Sequence, residues 1–136
     1  METKPRPTAL AMIFCEMVVN DLKTGNRSLI SSFNRINVPK VPCVFPKFSV
    51  FFMVTGGIGK YSFKVDCVSG QNTKMFELGA SLGLEKQEAI AELDFEIRGI
   101  NFPEYGNYKF TLYSDDDILM SRYLTVASPK EEKQEK

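Results

Sequence analysis

Two stretches of this chain alternate with a period of two. In KYSFKVDCV, residues 60–68, Tyr61, Phe63, Val65 and Cys67 fall on one side, and Lys60, Ser62, Lys64 and Asp66 on the other. Ala91, Leu93, Phe95 and Ile97 alternate in the same way with Glu92, Asp94, Glu96 and Arg98. Successive side chains of a strand face opposite sides of a sheet, so this pattern requires strands with one apolar and one polar face. An apolar sheet face needs a second layer to bury it.

Apolar or alternating runs at 8–19, 28–36, 47–54, 60–68, 74–84, 90–99, 108–113 and 118–126 predict about eight strands, joined by turns rich in Gly, Asn and Asp. The stretch NVPKVPCVFP carries Pro39, Pro42 and Pro46, each without a ladder donor, and predicts a semi-rigid crossing between sheets in place of a central strand. TGGIG, between two strand-like runs, predicts a hairpin turn, and residues 85–89 predict at most a helical turn. The expected fold is all-β: a two-sheet antiparallel β-sandwich with immunoglobulin-like or C2-like Greek-key order. It is expected over residues 8–127, with a flexible arm at 1–7 and a charged, solvated tail at 128–136.

A chain of 136 residues with 43% hydrophobic side chains fits one domain with a continuous core. Histidine is absent, which removes the usual base of nucleophilic triads and the commonest metal ligand. Cys15, Cys43 and Cys67 match neither paired zinc ligation nor a dense disulfide framework, so a reducing, cytoplasmic setting is expected. Lys4 and Arg6 precede an apolar run, but Glu16 interrupts it and bulky Phe14 precedes Cys15, against the geometry of a secretory leader. No run approaches the ~20 apolar residues of a membrane span. The formal net charge is zero, which argues against nucleic acid as a partner. No cofactor and no enzymatic activity are expected.

Charge is uneven along the chain: residues 1–65 hold nine Lys and Arg against three Asp and Glu, and residues 66–128 hold five against eleven. Segregation of the halves would favour head-to-tail or heterologous association. A Greek key would instead interleave them and mix the charges.

Three local motifs invite chemistry. TGGIGK has the glycines of a phosphate loop but neither the following helix nor the Gly-Lys-Ser/Thr ending. Asp115, Asp116 and Asp117, in SDDD, could contribute to a calcium site at a sandwich rim as in calcium-dependent C2 domains, with Asp66 and Glu104 the only further acids in view. Phe51 and Met53 lie opposite the Phe48, Val50 and Phe52 face and close to Phe45; exposed, such a cluster would be an association surface. Cys15 and Cys67 read as small core residues, and Cys43 as the most exposable thiol, with no histidine to activate it.

The spacing of Glu104, Gly106 and Tyr108, followed by Phe110 and Leu112, resembles the tyrosine corner of immunoglobulin-like sandwiches. The resemblance implies that the Tyr108 hydroxyl returns to an upstream backbone group, a structural role shared with Gly106. Across residues 8–127, from ALAMIFCEMVVNDLKTGNRSLISSFNRI to FPEYGNYKFTLYSDDDILMSRYLTV, the chain resembles a family of small, single-domain bacterial proteins of unknown function. That likeness implies a compact β-sandwich in the bacterial cytoplasm and carries over no catalytic residue. The expected function is a non-enzymatic protein-binding or assembly module that self-associates or docks a protein partner through 45–53 or an edge strand. The alternative is a ligand- or calcium-binding sandwich using the rim loops 20–27, 69–73 and 114–117.

Overall fold

The computed structural model describes residues 4–129, so most of the tail and the first residues of the arm lie outside it. Among these described residues nine strands follow in order: β1 (Thr8–Asn20), β2 (Arg27–Phe33), β3 (Arg35–Asn37), β4 (Cys43–Thr55), β5 (Gly59–Val68), β6 (Lys74–Leu84), β7 (Ile90–Phe102), β8 (Gly106–Ser114) and β9 (Asp117–Ala127). They form two sheets, a first in the order β2-β1-β4-β7 and a second in the order β3-β9-β8-β5-β6. The fold is all-β and sandwich-like. β1–β2, β5–β6 and β8–β9 are hairpins, and the other connections change sheet.

Alternation sets the core. Met12 and Phe14 from β1, Phe48, Val50 and Phe52 from β4, Phe63 and Val65 from β5, and Phe110 and Leu112 from β8 are essentially sealed. Their rings meet edge-on between the layers, with Phe14 4.8 Å and Phe48 6.2 Å from Phe110. Edge-to-face contact suits the ring quadrupole and adds to the area term.

Four expectations need correction. The run 28–36 is two strands, because the chain leaves the first sheet at Asn34 and re-enters the second as β3. There β3 runs parallel to β9, pairing Arg35 with Thr125 and Asn37 with Ala127, so the sandwich is not wholly antiparallel. TGGIG is not a hairpin turn: β4 and β5 belong to different sheets, and the glycines carry the chain between layers. A Cβ at Gly57 would stand 2.7 Å from Leu84 Cδ1 and 3.0 Å from the Tyr61 ring, so the crossing is tight against the core. Finally, Pro46 lies inside β4, an interior strand. It is tolerated because β1 is in register with β4 only as far as Cys15 and Ser49, which leaves β4 a local edge at Pro46.

The two open flanks of the sandwich are treated differently. On the β1/β9 flank the Asn34 crossing bridges the layers: Thr125 N donates to Asn34 O at 3.2 Å, and the Arg122 guanidinium donates to Asn34 Oδ1 and to the Met12 carbonyl. The opposite flank lies between β6 and β7.

Candidate functional site

β6 and β7 each end their sheet, and among the described residues neither pairs on its outer edge. The side chains they turn inward are Phe76, Leu78 and Leu82 from β6 and Ala91, Leu93 and Phe95 from β7, and all six are only half-buried. Inward residues of the interior strands, such as Phe63 and Leu112, are sealed at 0%. A last strand has no neighbour to cover its flank, so an apolar seam runs along this side. It widens at each end. One hollow of about 430 Å³ is lined by Met75, Phe76, Leu78, Ile97, Gly99 and Ile100. The other, of about 540 Å³, lies between Lys60, Leu84, Ala89 and Ile90.

The exposed face expected at Phe51 and Met53 is not there. Phe51 is 5% exposed, although it points away from the inter-sheet core, and its outer-face neighbours Ser49 and Cys15 are buried with it. The cover is the β1–β2 hairpin. Arg27, on β2, reaches Asp94 at 3.1 Å and Glu92 at 3.7 Å on β7, two strands beyond β1, which carries the hairpin across the row Ile13–Phe51–Asp94. Met53 is half-buried farther along the same face, and half-buried Phe45 packs its ring 5.9 Å from Phe48. The three therefore do not make one patch. Larger exposed apolar side chains lie on the hairpin itself, at Met17, Val19, Ile30 and Leu22.

The acidic loop is a turn. Asp115 and Asp116 occupy the left-handed region at φ 46° and 75°, as a tight hairpin between β8 and β9 requires. Asp115 Oδ1 accepts from Ser62 N at 2.9 Å, and Oδ2 pairs with Lys4 at 2.9 Å. The backbone donor first, and Lys4 second, hold its carboxyl below the usual range. Asp116 is exposed and 3.9 Å from Lys64, and Asp117 opens β9. Glu104 accepts from Gln71 Nε2 at 2.8 Å, and buried Asp66 accepts from the Tyr113 hydroxyl at 3.0 Å. Among the described residues no three His, Cys, Asp or Glu side chains converge to hold a metal ion.

Gly106, at φ 134°, lets the chain enter β8, and Tyr108 is 1% exposed two residues on. Its hydroxyl donates to Glu104 O at 2.7 Å and accepts from Glu104 N at 3.3 Å. A second tyrosine does the same work at the β4–β5 crossing: the Tyr61 hydroxyl donates to Pro5 O at 2.6 Å and accepts from Ile58 N at 3.0 Å. Gly59 and Tyr61 repeat the Gly-x-Tyr spacing of Gly106 and Tyr108 at a strand start, without the acid two residues before the glycine, and sequence reasoning missed that signal.

Charges of the two halves are interleaved. Lys4 with Asp115, Arg27 with Glu92 and Asp94, Lys47 with Glu96 at 3.8 Å and Lys64 with Glu77 at 3.8 Å all join the basic first half to the acidic second. Cys67 and Cys15 are poor nucleophiles. Burial, then the neighbouring Asp66, push Cys67 up to about 12, and burial, then Asp94, raise Cys15.

Among the described residues no helix is long and apolar enough to cross a membrane. No curated protein matches the chain. The model of DUF6941, a family of unknown function, matches residues 10–127, and the chain therefore belongs to that family.

Proposed function

We propose that this chain is a non-enzymatic protein-binding or assembly module, immunoglobulin-like in its Greek-key order, that binds through its open β6/β7 side. The observation that carries the reading is the half-buried apolar seam between two unpaired strand edges. Two such unpaired edges on one flank offer backbone donors and acceptors to an added strand, and the seam offers pockets for alternate side chains. The order β1-β4-β7 facing β9-β8-β5-β6, together with the Tyr108 hydroxyl bound back at Glu104, supports the immunoglobulin-like assignment. Free Cys15, Cys43 and Cys67 suit a reducing compartment, in keeping with a cytoplasmic protein.

A photo-reactive residue introduced at Leu82 or Leu93 tests the reading in the cells that make the protein. Irradiation is expected to join these positions to a protein, while the same residue at Ser121, on the outer face of β9, gives little. Equal yields from all three positions would sink the proposal.

A further inference from the structure

We propose that β6 pairs antiparallel with β6 of a second copy of this chain, about a two-fold axis at Gly79, to make one continuous sheet across the dimer. The inference rests on the open-side reading above and names its partner. It comes from comparing the four strand edges. Natural sheets guard their edges by shortness, bulges, bends or charge, because a long neutral edge templates pairing with another chain. β3 is guarded by length, at three residues. β2 is kinked at Ser31, whose φ is 54°, and rolls over the outer face with Arg27. β7 carries Glu92, Asp94, Glu96 and Arg98 outward and is bent at Gly99, whose φ is 65° and which stands opposite Pro46. β6, eleven residues long, carries such guards at its start, with Lys74, a bulge at Met75 and Glu77, and none between Leu78 and Leu84, where its outward residues are Gly79, Ser81 and Gly83.

Self-pairing distinguishes the two long edges further. Antiparallel pairing of β7 on itself about Asp94 would set Asp94 against Asp94 and Glu92 against Glu96, and like charges directly opposite repel. Pairing of β6 about Gly79 sets Phe76 against Leu82 and Leu78 against Ala80 on the inner face. On the outer face Glu77 meets Ser81. No charge opposes a like charge, and the half-buried flanks of Leu78 and Leu82 gain cover from the second copy.

Glu77 facing Ser81 supplies a test that reads the register by sign. Ser81 is exposed, so at protein concentrations below the dimer dissociation constant its substitution should leave the urea midpoint of folding unchanged. In the full chain, Ser81→Glu puts two acid pairs into each dimer and should raise the dimer dissociation constant on the order of tenfold; Ser81→Lys makes two ion pairs and should lower it by a similar factor. Sedimentation equilibrium measures both. A Glu77→Cys/Ser81→Cys chain in a Cys43→Ser background should then oxidise to a covalent dimer. Shifts of the same sign from both Ser81 variants, or a chain that stays monomeric at millimolar concentration, would overturn the dimer. A monomer that still photo-crosslinks another protein at Leu82 overturns the dimer and leaves the binding reading standing; a monomer that gives no adduct at Leu82 or Leu93 overturns both.

Discussion

Replacing Tyr108 by Phe keeps the ring, which is 1% exposed and stands 4.9 Å edge-on from Phe102, and removes only the hydroxyl. Two hydrogen bonds go with it, the donation to Glu104 O at 2.7 Å and the acceptance from Glu104 N at 3.3 Å. A typical internal hydrogen bond is worth about 1 kcal/mol net, and the longer of these belongs at the low end of that range. Glu104 is exposed, so water reaches the orphaned backbone groups and the larger penalty of a sealed site does not apply. The expected loss is about 1–2 kcal/mol, or roughly 3–6 °C in melting temperature for a domain of this size. Urea unfolding at pH 7 should show it as a lower midpoint at unchanged slope. The pH dependence adds a check with a definite sign. Burial raises the Tyr108 pKa, so the fold favours the neutral phenol. That contribution is whole below the unfolded value, near ~10, and is lost as pH rises through the higher folded value. Phe has no such loss, so the gap between the two proteins should narrow above pH ~10. A loss under ~0.3 kcal/mol at pH 7, or a gap that widens with pH, would refute the reasoning.

Cys67 offers the same sign at larger scale. Its thiol is raised from 9.0 to about 12 by burial first and Asp66 second, so its contribution is intact below pH 9 and lost as pH rises through 12. Wild type should shed up to ~1.4 kcal/mol per pH unit through this one group, and urea midpoints of Cys67→Ala should lack that slope. Phe51→Asp places a carboxylate in a buried site beside Asp94, and should cost more than ~3 kcal/mol and abolish the cooperative thermal transition followed by circular dichroism. A midpoint within ~0.5 kcal/mol of wild type would show that the hairpin does not seal that face. Gly57→Ala should cost ~1–3 kcal/mol in urea unfolding through its 2.7 Å clash with Leu84, whereas Gly83→Ala, with nothing within 4 Å, should be close to neutral.

What was legible depended on whether a feature is local. Period two gave β5 and β7 to β9 nearly to their ends, and turn chemistry gave the β8–β9 hairpin at Asp115 and Asp116. The spacing from Glu104 to Tyr108 was enough to anticipate the returning hydroxyl, because both ends of that bond lie four residues apart. Sheet assignment was not legible. TGGIG looks alike whether its arms pair or part, since both arms are half-buried strands in either case. Pro46 was misread for the same reason: whether a proline is tolerated depends on a neighbouring strand, and β1 peels away only in three dimensions. β3, at three residues, is too short to show any period, and its parallel partner β9 lies far along the chain. Phe51 alternated correctly onto the outer face, but the hairpin that covers it is folded over by ion pairs at Arg27, a contact across 67 residues.

The candidate site was the least legible part, because an edge is defined by what is missing beside it. Its significance comes from the contrast between the two flanks. The β1/β9 flank is closed with polar side chains, Arg122 and Asn34, and a strand crossing. The β6–β7 connection could have closed the other, but its five residues are turned elsewhere: Gln87 O accepts from Gly56 N at 2.9 Å, and Ala89 O accepts from the Thr55 hydroxyl at 2.7 Å. The loop thus pins the end of β4 and leaves the seam from Phe76 to Leu82 bare among the described residues. Lys47 and Arg27 are likewise held by the acids of β7, which quiets the outer face of the first sheet, while the cations beside β6 stand at its start, Lys74, and on β5 behind it, Lys60 opposite Gly83 and Lys64 beside Glu77. A fold that satisfies its polar groups on one flank and leaves half-buried Leu and Phe on the other gains most from burial exactly there, at ~25 cal/mol for each Å² of apolar surface removed from water. That gain is open to a second chain that also completes the β6 backbone ladder, because an apolar cover without strand pairing would strand the edge donors and acceptors away from water.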